Sequence, residues 1–309
     1  MPELQSMPPL RSLRALPRAL ANWAGLAGQD ERPVARILMY HGTPRGEAAA
    51  LERELRWLKR RFHIVPLRAI VAAATNGGAL GSKVALTFDD GLRSNVEVAY
   101  PLLHRLAIPA TFFVCPGLVD RARWLWTHEM RRRLSRLSPA ARRELAQEWQ
   151  APEGISELVR WMKKLDSAPR QRIQARVREA TADFTPTPAE RDEFDLADWK
   201  ELRRVDPAIV TIGSHTSTHS ILRGTSPAEL ESEVRDSRRQ LERTLERPVD
   251  TFAYPNGELD PASDACVRKH YRVAVTTANG WVARGADAHR LPRLAGPSSV
   301  LKLARRIYA

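Results

Sequence analysis

Short apolar runs alternate with helix-length amphipathic stretches over most of this 309-residue chain. Apolar runs that contain β-branched residues and end at polar or glycine residues predict buried strands, and the stretches between them have helical periodicity. An alternation of strands and helices predicts an α/β fold with a parallel sheet, and it favours a barrel whose functional residues gather at the carboxyl ends of the strands. The runs that predict strands are 34–42, 83–88, 110–114, 209–214, 251–254 and 272–277.

The predicted strand at 83–88 ends in two adjacent carboxylates, Asp89 and Asp90, followed by Gly91. Successive side chains alternate across a strand, so we expect the two carboxylates to point in different directions. One of them could then bind a metal ion while the other faces a substrate. An ordinary turn between a strand and a helix has the same composition, and spacing alone does not separate the two interpretations.

The predicted strand at 209–214 is followed by two histidines, His215 and His219. A spacing of four residues places two side chains on one face of a helical turn, so we expect a helical turn here that holds both imidazoles against one ion. Two imidazoles and one carboxylate bind zinc-type divalent metals and leave a coordination position for water, which a hydrolase needs.

The TFDDG sequence at 87–91 and the HTSTH sequence at 215–219 resemble the first and second motifs of the NodB-like polysaccharide deacetylases, carbohydrate esterase family 4. The resemblance runs from about Val34 to Arg293. It implies a distorted (β/α) barrel and a metal-dependent hydrolase that removes the acetyl group from an N-acetylated amino sugar.

The same resemblance implies roles for four residues. Asp89 is expected to be the catalytic base, while Asp90, His215 and His219 are expected to bind one divalent metal ion. Zinc is the expected ion, and the same ligands suit cobalt, nickel or iron.

Two further motifs indicate the permuted branch of this family, which resembles the poly-N-acetylglucosamine deacetylases of exopolysaccharide pathways. No Leu-x-Leu-His sequence follows Leu291, and the ILMYH sequence at 37–41 instead implies that His41 is the general acid. The third family motif, Arg-x-Pro-Tyr, is replaced by residues 253–255, which lack the arginine that orients the base. We expect Tyr254 to line the sugar site and to offer its N–H to the oxyanion. Arg293 is the candidate replacement for the arginine, although an ordinary surface arginine would fit the sequence as well.

The region at 120–198 departs from the strand and helix alternation and predicts a helical insertion in a catalytic domain that spans 31–309. Residues 121–180 contain 15 Lys or Arg against 7 Asp or Glu, in a chain whose formal net charge is +13. This basic segment could bind an anionic or lipid-linked sugar, or it could be a solvated helix face.

The N-terminal residues 1–30 form a predicted basic leader. They lack the apolar centre of a secretory signal, and no stretch of the chain is apolar for long enough to span a membrane. We therefore expect a cytoplasmic protein or one that is peripheral at the inner membrane, with an anionic membrane surface as a candidate partner. No nucleic-acid-binding motif accompanies the positive charge.

Three functions are consistent with these patterns. The first is a metal-dependent deacetylase that acts on an N-acetylated glycan in exopolysaccharide synthesis. The second is a deacylase or deformylase of a lipid-linked amino sugar at the inner membrane. The third is an inactive barrel that serves as a glycan-binding subunit, because the third motif is altered.

Overall fold

The computed structural model describes residues 32–121, 123–296 and 299–308, and in this part of the chain eight strands form one parallel sheet. The leader predicted at 1–30 lies outside the described residues. The strands are β1 (Arg36–Tyr40), β2 (His63–Ile64), β3 (Lys83–Phe88), β4 (Ala110–Val114), β5 (Val210–Ser214), β6 (Thr251–Ala253), β7 (Val273–Val275) and β8 (Leu294–Ala295).

The sheet curls into a half-barrel with helices around it, and this confirms the predicted fold class. Its strand order is β7-β6-β5-β4-β3-β1-β8, and β2 pairs with β3. One short segment connects the two edges of the sheet, because Leu291 bridges Val275 at the end of β7 and Leu294 pairs with Leu38 of β1. All of these pairings are parallel, so the carboxyl ends of the strands meet on one face of the barrel.

Alternate residues of each strand face either the barrel interior or the surrounding helices. Phe88 and Phe112 pack towards the helices, whereas Phe113 packs in a second cluster with Ile37 and Ala253. Glycine is required at position 213, because a Cβ atom there would lie 2.5 Å from the ring of Phe113. The central strands are therefore buried on both faces, as expected for a parallel sheet.

Helices cover the outside of the sheet and make up the long connection between β4 and β5. No described helix is long and apolar enough to cross a membrane. Outside that connection, the α-helices are Ala48–Arg61, Leu67–Thr75, Tyr100–Arg105, Pro227–Glu231, Ser237–Leu245, Pro261–His270 and Val300–Tyr308; the connection itself contains Trp126–Arg136, Pro139–Glu148, Ile155–Lys164, Ser167–Ala180, Pro188–Phe194 and Trp199–Arg203.

The first five helices of this connection occupy the region predicted as an insertion, and they have a small core of their own. Met130, Val159 and Val177 are completely buried there, in a cluster separate from the barrel core. Trp126 attaches the insertion to the barrel, because its indole N–H donates to the backbone oxygen of His219 at 3.3 Å. The indole N–H of Trp124 donates at 2.8 Å to Asp195, near the end of the insertion, which also accepts from Arg93 beyond β3 at 2.9 Å. Both indole rings are buried.

Two helices are less regular than the sequence predicts. The sequence predicts one long helix over 226–245, with Ser226 in its N-terminal cap, and another over 96–106. The first contains a π-helical segment, Ser232–Asp236, and a second π-helical segment, Asn95–Ala99, precedes Tyr100–Arg105. The predicted N-cap is correct, since the side chain of Ser226 accepts a hydrogen bond from the N–H of Glu229.

Candidate active site

A buried ion pair lies at the carboxyl end of β3. Arg293 donates two parallel hydrogen bonds to the carboxylate of Asp89, both at 2.7 Å. The guanidinium also donates to the backbone oxygen of Thr276 at 2.8 Å and to the hydroxyl of Thr87 at 3.0 Å. Asp89 is 2% exposed and Arg293 is 1% exposed, so this arginine is not an ordinary surface residue.

The pairing with Arg293 determines the protonation state of Asp89. Burial acts to raise the pKa of this carboxyl, but the charge and hydrogen bonds of Arg293 outweigh burial, and the pKa lies below its ordinary value. A bidentate guanidinium is the partner that best compensates a desolvated carboxylate. Asp89 is therefore a carboxylate at neutral pH, as a proton acceptor must be.

Asp90 points away from Asp89 because the chain turns out of the strand between them. Asp90 has φ 77° and Gly91 has φ 68°, both in the left-handed region. A Cβ atom at Gly91 would lie 3.2 Å from the Cα of Val114, so the turn packs closely against β4. The two carboxylates diverge as predicted, but the cause is this left-handed turn and not strand alternation. A left-handed non-glycine residue costs about 1 kcal/mol or more and is often found at functional sites.

Asp90, His215 and His219 converge in an arrangement that could hold one metal ion. Oδ1 of Asp90 lies 3.5 Å from Nε2 of His215 and 3.4 Å from Nε2 of His219. The three residues are buried, and their ligand atoms lie within 4.8 Å of one another.

The hydrogen bonding around these residues fits a divalent cation. Nδ1 of His215 donates to the backbone oxygen of Ala253 at 2.7 Å, which leaves the lone pair of Nε2 directed towards Asp90. Oδ1 of Asp90 has no hydrogen-bond partner within the described part of the chain. Burial lowers the pKa of His219 to about 4, so its imidazole is neutral and can act as a ligand.

The segment that carries the two histidines is not the helical turn that we predicted. Thr216 and His219 both have positive φ, 62° and 59°, which a right-handed helix does not allow. The turn is held from outside by Glu233, whose carboxylate accepts hydrogen bonds from the N–H of Thr218 at 2.9 Å and from its hydroxyl at 2.6 Å. The histidines meet because of this tight turn and not because of helical spacing.

His41 and Tyr254, the two other residues predicted for the site, differ in whether their side chains are accessible. His41 lies exposed at the end of β1, where its charge contributes to the lowered pKa values of both Asp89 and Asp90. The prediction for Tyr254 is wrong. Its N–H donates to the backbone oxygen of Val275 at 3.1 Å, and its ring is completely buried, so neither group is available to a sugar or an oxyanion.

One residue of the site was not predicted from the sequence. His128, from the first helix of the insertion, places Nε2 at 3.8 Å from Oδ2 of Asp90, and its ring stacks on Phe194 with the centroids 4.7 Å apart. A single histidine in a charge-rich helix carries no sequence signal, because only the packing of the insertion against the barrel brings it to the site.

These features together define the class of site: a buried, charged carboxylate beside a candidate metal centre at the carboxyl end of a parallel barrel, an arrangement typical of metal-dependent hydrolases. Comparison with known sequences gives the same class, because the family described as polysaccharide deacetylase matches residues 77–274. The chain belongs to the polysaccharide deacetylase family, whose members are hydrolases of amide bonds in N-acetylated polysaccharides.

A protein of Bacillus subtilis (strain 168), "Putative polysaccharide deacetylase YxkH", is 21% identical over 266 residues, which are 84% of this chain and 70% of that protein. Solved structures share the fold. Streptococcus pyogenes deacetylase PplD in complex with acetate has a TM-score of 0.58 and 18% identity, and the match covers 86% of this chain and 93% of that one. IcaB from Ammonifex degensii has a TM-score of 0.57 and 19% identity over 91% and 99% of the two chains. The BpsB deacetylase domain from Bordetella bronchiseptica has a TM-score of 0.56 and 15% identity over 87% and 98%.

Proposed function

We propose that this protein is a metal-dependent deacetylase of an N-acetylated amino sugar in a polysaccharide, with exopolysaccharide synthesis as its setting. The observation that carries the proposal is the pair of oppositely directed carboxylates, Asp89 bound to Arg293 and Asp90 facing His215 and His219. One carboxylate is thus kept charged for proton transfer, while the other completes a three-ligand site.

Asp90, His215 and His219 would hold the ion. A divalent ion bound there supplies Lewis acidity, which polarises the acetamide carbonyl and makes water more acidic. Zinc is the proposed metal because two imidazoles and one carboxylate are a common catalytic zinc set.

The remaining steps belong to the residues of the chain. Asp89 takes the proton of the attacking water, and Arg293 keeps its carboxylate charged and oriented until it does so. His41, exposed at the end of β1, donates a proton to the departing amine. Because the N–H of Tyr254 is already bonded, we assign the oxyanion donor to the N–H of Asn256, in the short turn Pro255–Gly257 that follows β6.

The test is acetate release from N-acetylglucosamine oligomers, measured together with zinc content. Asp89→Asn should lower turnover by at least about 10³-fold while one zinc ion is retained, because the base is lost and the three ligands remain. Asp90→Ala and His215→Ala should lose both the zinc ion and the activity.

Two results would contradict these roles. Activity close to wild type in Asp89→Asn would exclude Asp89 as the base, and tight zinc binding by His215→Ala would exclude that histidine as a ligand. His104→Ala is a matched control, since this exposed histidine lies on the outer helix Tyr100–Arg105 and should change neither the zinc content nor the acetate release.

The inactive-subunit alternative depended on the missing arginine of the third motif. Arg293 supplies the same kind of contact to Asp89 from another strand, so the altered motif no longer favours that alternative.

A further inference from the structure

The first helix of the insertion presents one face to the metal site. His128 lies 3.8 Å from Asp90 on this helix, and Arg131 follows it by three residues. Residues three apart are neighbours on a helix surface, with Cβ atoms roughly 5–6 Å apart, so Arg131 lies one turn further along the face that contains His128.

Lys163, from the helix Ile155–Lys164, reaches the same region from the other side. Its ammonium donates a hydrogen bond of 2.7 Å to Oδ1 of Asn256. Asn256 follows β6, and the last residue of β6, Ala253, holds His215 through its backbone oxygen. The lysine is thereby anchored next to the strand end that positions a candidate metal ligand.

Electrostatic coupling links these groups to one another. Burial and the positive charge of Arg131 lower the pKa of Lys163, while Glu258 and Asp90 act in the opposite direction. The geometry agrees, because Arg131 donates to the hydroxyl of Ser156, which lies seven residues before Lys163 and therefore on the same face of the helix Ile155–Lys164.

Neither cation forms an ion pair with a carboxylate among the described residues. Arg131 donates only to the hydroxyl of Ser156, at 3.3 Å, and Lys163 only to the amide oxygen of Asn256. Other arginines of the insertion, such as Arg133 and Arg178, both pair with Glu129. Two adjacent cations, one of them half-buried, repel each other unless an anion joins them.

We propose that Arg131 and Lys163 form an anion subsite beside the metal site, which binds a carboxylate or phosphate group on the substrate. This inference rests on the proposed deacetylase function and adds the substrate class, an N-acetylated sugar with a nearby acidic group. A guanidinium and an ammonium are the side chains that recognise such oxygens best. A uronate residue in the glycan and a sugar phosphate are the two sources of this chemistry.

Binding to the zinc-loaded Asp89→Asn protein, measured by calorimetry, tests the subsite without requiring turnover. One pair of ligands is the N-acetylglucosamine tetramer and an equally long oligomer in which N-acetylglucosamine alternates with glucuronate. The second pair is N-acetylglucosamine and its 1-phosphate. At least one acidic ligand should bind about tenfold more tightly than its neutral counterpart, and the pair that shows the preference identifies the source.

Lys163→Gln and Arg131→Gln should each remove most of this preference, measured as the ratio of the Kd values of the neutral and the acidic ligand for the same variant. Lys164→Gln is the matched control, because this exposed neighbour removes the same charge from the same helix. Equal or undetectable binding of acidic and neutral ligands, or an equal effect of Lys164→Gln, would overturn the subsite. If the wild type released no acetate but still preferred the acidic ligand, the proposed deacetylase function would be refuted and the anion subsite would be retained.

Discussion

Arg293 shows how a side chain that is missing from one motif can be supplied from elsewhere in the chain. The third motif lacks an arginine, yet a guanidinium from the segment between β7 and β8 forms two hydrogen bonds with Asp89 across 204 residues of sequence. The same guanidinium contacts the backbone of Thr276, so it is fixed before any substrate arrives. Orientation of the base is thus built into the closing edge of the barrel.

Replacement of Arg293 by methionine should shift the pH dependence of activity. Without the guanidinium, burial becomes the dominant influence on Asp89 and raises the pKa of its carboxyl. The acidic limb of the kcat/KM profile should therefore move to higher pH, and activity at pH 7 should fall at least about tenfold.

Zinc content is the second measurement on Arg293→Met, and it should stay at one ion for each chain. Arg290→Met is the control, since Arg290 pairs with Asp264 on the surface and does not touch Asp89. An unchanged pH profile would show that Arg293 does not set the charge of the base.

At the residue scale, sequence patterns could identify side chains that end a strand but not the direction of their backbone groups. Asp89, Asp90, His215 and His219 all follow apolar runs, and the structure brings them to one face. Tyr254 also follows a strand, but its N–H continues the pairing with β7, and this pairing depends on the register of a neighbouring strand.

Among the elements, the π-helical segment Ser232–Asp236 supports the turn that carries the two histidines. Glu233 lies in this segment, where its carboxylate binds Thr218 and its backbone oxygen accepts the N–H of Ser217 at 3.0 Å. Isolated π-helical turns are frequent near functional sites. The prediction of one regular helix missed this segment, because apolar periodicity does not reveal one extra residue in a turn.

Loss of the Glu233 carboxylate should weaken metal binding. In Glu233→Ala the turn loses two hydrogen bonds that hold His219 in a left-handed conformation, so we expect the Kd for zinc to rise about tenfold or more. Competition with a zinc chelator measures this change.

Asp236→Ala is the comparison, because Asp236 lies three residues away in the same segment and forms a partly exposed pair with Arg235. It should bind zinc like the wild type. A zinc affinity equal to that of the wild type in Glu233→Ala would show that the turn keeps its conformation without the Glu233 carboxylate.

The insertion illustrates why elements are easier to predict than their contacts. Its charge-rich helical character was evident from the sequence, and the structure has five helices there. The approach of His128 to Asp90 could not be predicted, because it depends on how Trp126 docks this unit onto the barrel.

For the molecule as a whole, one buried acid should make stability depend on pH. Glu54 is 2% exposed, and its Oε1 has no hydrogen-bond partner among the described residues. Burial raises the pKa of Glu54 from 4.5 to about 7. The native state therefore holds this proton more tightly than the unfolded state does. The contribution of this proton to the free energy of unfolding is fully present below pH 4.5 and is lost as the pH rises through about 7.

Urea unfolding at pH 5 and pH 8 measures this effect. Between pH 5 and pH 8 the wild type should lose on the order of 3 kcal/mol of unfolding free energy because of this group. The unfolding free energy of Glu54→Gln should depend much less on pH. Glu52→Gln is the control on the same helix, because Arg56 lowers the pKa of Glu52. A pH dependence in Glu54→Gln as steep as that of wild type would exclude Glu54 as its source.

The overall architecture was the part best predicted from sequence, because the alternation of buried strands and helices allows few arrangements other than a parallel barrel. The closure of the barrel was harder, since β8 has only two residues, Leu294 and Ala295, and the helix Val300–Tyr308 follows a segment without a clear pattern.

The segment that closes the barrel also fixes the order in which the enzyme becomes competent during synthesis. The matched family region ends at residue 274, and by that point the ribosome has made both motifs, the insertion and most of the sheet. Arg293 emerges last among the groups that contact Asp89, so until then a nascent barrel would bury its base without a counterion. The buried carboxylate of Asp89 therefore gains its counterion only when the segment between β7 and β8 has been made.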